Sequence, residues 1–244
     1  MLKDKDLLLL KIMEKSSIDS CRQLMILGGD RDPSVTRKRV KKLKEQGFVN
    51  ADWSGDHIVY TLSQKGLYEQ EKTRRPYDVK GVKAEHDELV SEAASWLYIM
   101  AGLGIMDMVF EHEMNALAAF KEIGGHKPDI VFAKHQALEV ELSSKPTHRA
   151  NGKNGLEDNF LSNQRLYTKQ IWIVPERKKG LIARINAIRL KAGAEKSAHI
   201  ITLEQMQKEI ASYDLSQNAP RVEPVIGIPT PLKNREKDIM EVLS

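Results

Sequence analysis

The sequence predicts a mixed α/β protein, built as two folded parts and an extended C-terminal arm. Three observations predict it. A basic amphipathic helix pattern within residues 31–47 is followed at once by a hairpin pattern. Beyond residue 76 the apolar spacing changes several times between the helical period and short strand-like runs. From Ser216 onward Pro220, Pro224, Pro229 and Pro231 crowd a stretch with no period, the mark of an arm outside the core. The expected division is 1–75, 76–215 and 216–244.

Composition narrows the classes. The chain has 244 residues, of which 41% are hydrophobic and 30% charged, enough for one large or two small cores. Mean hydropathy is −0.44, and no run reaches the ~20 apolar residues of a membrane span, so no membrane insertion is expected. The opening "MLKDKDLLLLKIMEK" breaks its four leucines with Lys and Glu on either side, which suits an amphipathic helix better than a signal peptide. One cysteine, Cys21, permits neither an internal disulfide nor a Cys-rich zinc site, and a cytoplasmic, reducing setting is the simplest expectation. The net charge of +4 is modest, so where the cations lie matters more than their sum.

They lie early. Helical spacing covers about Lys3–Glu14 and Asp19–Leu27. Between Arg31 and Lys44 stand Arg31, Arg37, Lys38, Arg39, Lys41, Lys42 and Lys44 against one acid, Asp32. Val35, Val40 and Leu43 keep roughly helical spacing, with Asp32 as a candidate N-cap, Pro33 in the first turn and a stop at Gly47. "FVNADW" and "HIVYTLS" then flank Ser54-Gly55-Asp56 as a hairpin, and "SQKGLYEQEK" returns to helix. Three helices followed by a hairpin, with the third helix basic, is the order of a winged helix-turn-helix domain. Such a helix enters the DNA major groove. Ser34, Thr36 and Arg37 would then lie near base edges, while Lys38, Arg39, Lys41 and Lys42 neutralise phosphates. The alternative is a solvated basic face on a structural helix.

Residues 71–87, with Pro76, Gly81 and no period, read as a linker. Lys83–Met100 is amphipathic, with Leu89, Ala93, Trp96 and Leu97 on one side. "MDMVFEHEM", "PDIVFA" and "ALEVELS" read as three strands. "LEDNFLSNQRLYTK" reads as helix, "QIWIVPE" as a buried strand, "KKGLIARINAIRLKAG" as helix and "AHIITLEQMQKEIASY" as strand and helix. The resulting αβββαβ succession, with a mixed sheet, is that of the restriction-endonuclease-like fold.

The carboxylates of residues 124–146 carry the chemistry. Strand alternation puts Glu139 and Glu141 on one face and Leu138, Val140 and Leu142 on the other, with Asp129 on the neighbouring strand. Three acids converging there repel one another unless protons or a cation intervene. Oxygen donors of this kind suit Mg²⁺ or Mn²⁺, which would polarise a scissile phosphate. Glu88, Glu92, Glu111 and Glu113 are further acids within possible reach. Solvated strand carboxylates are the competing reading.

Through Pro128-Asp129 and Glu139-x-Glu141 the chain resembles the PD-(D/E)xK nuclease superfamily. The resemblance implies that Asp129 and Glu139 ligate metal. Glu141 departs from it, standing where that superfamily usually has lysine; Lys145 would supply the cation instead, or Glu141 would bind a second ion. Together with the winged helix, over almost the whole chain, the pattern is similar to MobC-type plasmid mobilisation relaxases and the related replication-relaxation proteins. That resemblance implies a metal-dependent relaxase that nicks one strand of an origin of transfer. It would bind both duplex DNA and the nicked single strand, beside an accessory mobilisation protein and a coupling protein.

The seven histidines, at 57, 86, 112, 126, 135, 148 and 199, include no His-hydrophobe-His pair, so the metal site common in other relaxases is absent. His126 is a candidate phosphate contact. Tyr60, Tyr68, Tyr77 and Tyr167 are candidate nucleophiles, with half-buried aromatics as the plainer reading. Lys145, Arg149 and Lys153 follow the acids in a polar loop suited to backbone contacts on a scissile strand. Two rivals stand beside the relaxase. One is a winged-helix regulator or relaxosome accessory protein with an inactive nuclease-like domain, and the other is a double-strand endonuclease.

Overall fold

The computed structural model describes residues 2–81, 83–116, 126–133, 135–143 and 155–214. Within them the protein is mixed α/β, with a three-stranded antiparallel sheet, a five-stranded mixed sheet and helices around both. The arm expected from Ser216 lies outside the described residues. No described helix is long and apolar enough to cross a membrane. The chain divides into two compact units, the first running through Ile105 and taking in the described residues from Ile210 onward, the second from Met106 through Glu209.

The first unit opens with the helix Asp4–Ser16, whose Leu9, Leu10, Ile12 and Met13 are buried. The two-residue strand β1 (Asp19–Ser20) follows and pairs antiparallel with β3 (His57–Leu62), which pairs antiparallel with β2 (Val49–Ser54). Helical spacing in the sequence reaches back to Asp19, but the helix starts at Cys21. Ser20 explains the difference: its Oγ caps the Gln23 N–H while the Gln23 side chain returns to the Ser20 N–H, a reciprocal cap that ends the helix there.

The basic helix Pro33–Glu45 starts as its sequence implies. Asp32 accepts the Ser34 N–H at 2.8 Å, and Pro33 takes the first helical position, where a missing N–H costs nothing. It buries Thr36, Val40 and Leu43 and stops before Gly47, which adopts φ 77°. The hairpin β2–β3 turns at Gly55, φ 60°. The short helix Gln64–Glu69 then seats on Phe48. A Cβ on Gly66 would stand 2.1 Å from the Phe48 carbonyl oxygen, so glycine alone allows that approach.

The helix Ala84–Ala101 completes the unit and ends at Gly102 in the left-handed conformation. Ser91 Oγ donates to buried Asp19 at 2.5 Å, and Gln23 Nε2 donates to the Glu88 carbonyl at 3.3 Å. The Glu88 carboxylate accepts from Ser54 Oγ at 2.7 Å and is hydrogen-bonded to His57 on the hairpin.

The second unit is the five-stranded sheet, in the order β4 (Met108–Phe110), β5 (Ile130–Phe132), β6 (Gln136–Val140), β7 (Lys169–Val174), β8 (Ala198–Thr202). The first three strands are antiparallel neighbours, while β6–β7 and β7–β8 are parallel. Each parallel pair is joined through a helix, Leu156–Leu166 and then Lys179–Lys191, as parallel pairing requires. These helices pack Leu156, Phe160, Leu181, Ile185 and Ile188 on Trp172 and Val174, with Phe160 stacked on Trp172 at 5.8 Å between ring centroids. β4 is shorter than "MDMVFEHEM" suggests. Glu111 and Glu113 lie on the helix Glu111–Ala116, because the Glu113 carboxylate accepts the Phe110 N–H at 3.1 Å and starts a helical turn.

Candidate functional site

Register brings two acids face to face. Ile130 pairs with Leu138, so the next pair outward sets Asp129 opposite Glu139 on adjacent strands. The Glu111 N–H donates to the Asp129 carbonyl at 3.0 Å, continuing the β4–β5 ladder by one residue. The Glu141 N–H likewise reaches the Ile173 carbonyl at 2.9 Å, so alternation persists past the end of β6 and keeps Glu141 on the side of Glu139. All three acids are buried: Asp129 is 9% exposed, Glu139 4% and Glu141 3%. Beneath them Val109, Met114, Val131, Ala137 and Tyr167 form a small apolar core.

Each carboxylate has different partners. Asp129 Oδ2 accepts the Val140 N–H at 2.7 Å. Glu141 Oε1 accepts from the N–H and Oγ of Ser143 at 3.2 and 3.1 Å. Glu139 Oε1 takes two donors, His126 Nε2 at 2.6 Å and Asn163 Nδ2 at 2.7 Å. Burial pushes the Glu139 carboxyl above its ordinary range. The Asp129 charge adds to that rise, against the opposing pull of His126 and Asn163. Burial and the Glu139 charge also push the Tyr167 hydroxyl up to about 12.

Asp129 and Glu139 suit a hard divalent cation. They are buried oxygen donors on facing strand positions, and burial with the neighbouring Asp129 charge pushes the Glu139 carboxyl upward. Among the described residues no group of three or more His, Cys, Asp or Glu side chains is arranged to hold a metal ion. Mg²⁺ commonly takes only one or two carboxylates and completes its shell with water and phosphate oxygens, so a carboxylate pair is a sufficient protein contribution. Of the further acids, Glu88 is engaged by the hairpin of the first unit, and Glu113 caps its own helix.

The basic helix has an open and a tied face. Arg37, Lys38, Lys41 and Lys42 are exposed and Ser34 is half-buried beside them. Arg39 and Lys42 reach Asp6 of the first helix at 3.3 and 3.8 Å, which secures them against their own unit. Thr36 is fully buried and donates its hydroxyl to Asp30 at 2.6 Å, so it contributes to the fold of the helix and not to its open face.

Among the tyrosines, Tyr68 is exposed, Tyr77 donates to Asp87 at 2.6 Å, and Tyr167 alone stands by the carboxylates. Lys145, Arg149 and Lys153 lie outside the described residues. Sequence reading missed Asn163. Its one signal there is that Asn159 and Asn163 recur at the core-facing spacing of Leu156 and Phe160. No family model matches the chain, and neither a curated protein nor a solved structure does.

Proposed function

We propose that this protein is a divalent-cation-dependent DNA-nicking enzyme, a relaxase of the MobC type that cleaves one strand at a plasmid origin of transfer. The observation that carries the reading is the buried Asp129–Glu139 pair on facing strands, with Glu141 two residues on, in a sheet whose pairing runs antiparallel, antiparallel, parallel. A mixed sheet is what the resemblance to the PD-(D/E)xK superfamily implies, and this one supports the reading. In the first unit, helix, short strand, two helices and a hairpin occur in the order of a winged helix-turn-helix, and this supports duplex DNA as substrate.

On this reading Ser34, Arg37, Lys38 and Lys41 contact the recognition duplex. Asp129 and Glu139 would hold Mg²⁺ or Mn²⁺, with Glu141 beside them. Bound there, the ion supplies charge stabilisation at the scissile phosphate. Glu139 is oriented by His126 and Asn163. Lys145, Arg149 and Lys153 would follow the nicked strand, and an accessory mobilisation protein and a coupling protein would complete the relaxosome.

The test is direct. With Mn²⁺ or Mg²⁺ the purified protein converts supercoiled plasmid carrying its own transfer origin to open circles, and Asp129→Ala does not. Equal nicking by that variant rejects the site, and linear product points to a double-strand endonuclease. A second reading, a winged-helix regulator or accessory protein with an inactive nuclease-like domain, is favoured by Glu141, which stands in the lysine position with Oε1 turned to its own Ser143. It predicts tight, salt-dependent operator binding without cleavage under any metal condition.

A further inference from the structure

We infer that Asn163 is a positioning residue for the carboxylate site, setting the orientation in which Glu139 meets a divalent cation; the inference rests on the nuclease reading above. Asn163 is fully buried on the helix Leu156–Leu166. Its Nδ2 donates to Glu139 Oε1 at 2.7 Å, the same oxygen that His126 Nε2 approaches at 2.6 Å. Two donors on one oxygen fix the carboxylate's rotation, which a single donor leaves open. Oε2 carries neither of these bonds, and on the nuclease reading it is the oxygen that would meet the cation. The residue before Asn163 acts on the second donor. Ser162 Oγ accepts the His126 backbone N–H at 3.1 Å. One helical step therefore holds Glu139 directly and again through His126.

The other end of the amide argues that the role is not simply stability. Asn163 Oδ1 is buried and has no hydrogen-bond partner among the described residues, and Asn159 Oδ1, one turn earlier, shares that condition. An unmet buried acceptor is destabilising, and at a position flanked by Leu156 and Phe160 a leucine would pack without it. A residue that costs stability and orients a reactive carboxylate is the pattern of a site's supporting shell.

The test uses full-length Asn163→Leu and Asn163→Ala, with circular dichroism as the folding control. Mn²⁺ affinity is read without DNA, by the loss of the free-ion paramagnetic resonance signal, and nicking is resolved into kcat and KM. Removal of such a supporting hydrogen bond weakens metal affinity by about 10–100-fold. Both variants are expected to show that loss, with reduced kcat and unchanged KM for plasmid. Should the leucine variant fail to fold, the alanine variant is read in its place. Ser162→Ala, which loosens only His126, then gives a smaller loss of the same sign. Wild-type Mn²⁺ affinity in a folded Asn163 variant overturns the inference while leaving the nuclease reading standing. A wild-type protein that binds no Mn²⁺ overturns both.

Discussion

Glu14 in the first unit and Glu139 in the second are both buried, and the two are treated in opposite ways. In the first, Glu14 is fully buried between Lys11 Nζ at 2.7 Å and Lys72 Nζ at 2.9 Å. Burial pushes its carboxyl up, but the two ammonium groups overcome this and hold it at about 2. In the second, burial and Asp129 leave Glu139 raised, with His126 and Asn163 only partly opposing them. The first charge is balanced inside the protein and cements a helix to its neighbours. The second is held by His126 and Asn163 and stays raised, a charge that on the proposed reading an external cation would compensate. Buried charge alone therefore does not mark a site; Glu139 differs in having a second acid, Asp129, at the facing strand position.

Substitutions at the two glutamates break this comparison most sharply. Glu139→Gln is expected to lower nicking on the order of a thousandfold, the several kcal/mol that metal-assisted charge stabilisation supplies. The same change removes a disfavoured charge, so its Tm should rise by a few degrees. Calorimetry and plasmid nicking on one preparation check both. A fall in Tm would show that Glu139 is structural.

Glu14→Gln should do the reverse, costing about 3 kcal/mol at neutral pH and leaving the Mn²⁺ response untouched. A carboxyl whose pKa is lowered by folding stabilises above its unfolded value, near 4.5, and that contribution disappears as pH falls towards about 2. Urea unfolding at pH 7 and pH 3 should show the difference between wild type and variant shrinking with acid.

Asp19 supplies the opposite sign within the same unit. Burial raises its carboxyl to about 6 despite hydroxyl bonds from Ser16 and Ser91. Its stabilising contribution is complete below about 4 and is lost as pH rises through about 6, a change of about 3 kcal/mol. Asp19→Asn should flatten that part of the stability profile.

The smallest effects belong to the basic helix. Lys38→Ala should reduce the salt slope of DNA binding by about 1 while leaving unfolding unchanged. Arg39→Ala, which cuts the bond to Asp6, should instead lower stability. Equal salt slopes for the two would show that the open and tied faces do not divide the work.

Much of this frame was readable before the structure, for local reasons. Asp32-Pro33 and Gly47 bound the basic helix through chemistry confined to neighbouring residues. Strand alternation placed Glu139 and Glu141 on one side without any tertiary knowledge. The helix phase was less secure. Val35, Val40 and Leu43 suggest one stripe, but Val35 is exposed and Thr36 takes the buried position, because Asp30 satisfies its hydroxyl. Ser20 capped a helix that apolar spacing alone extends further. Asn163 was out of reach because its partner lies 24 residues away, across a parallel crossover whose geometry no local pattern encodes.

The most direct test of the central claim is thermal unfolding of wild type and Glu139→Gln with and without Mn²⁺. A ligand at a hundred times its Kd stabilises by about 2.7 kcal/mol, so saturating Mn²⁺ should raise the wild-type Tm by several degrees and leave the variant unmoved. An equal shift in both proteins, or none in wild type, would contradict the reading of Asp129 and Glu139 as carboxylates held for a cation.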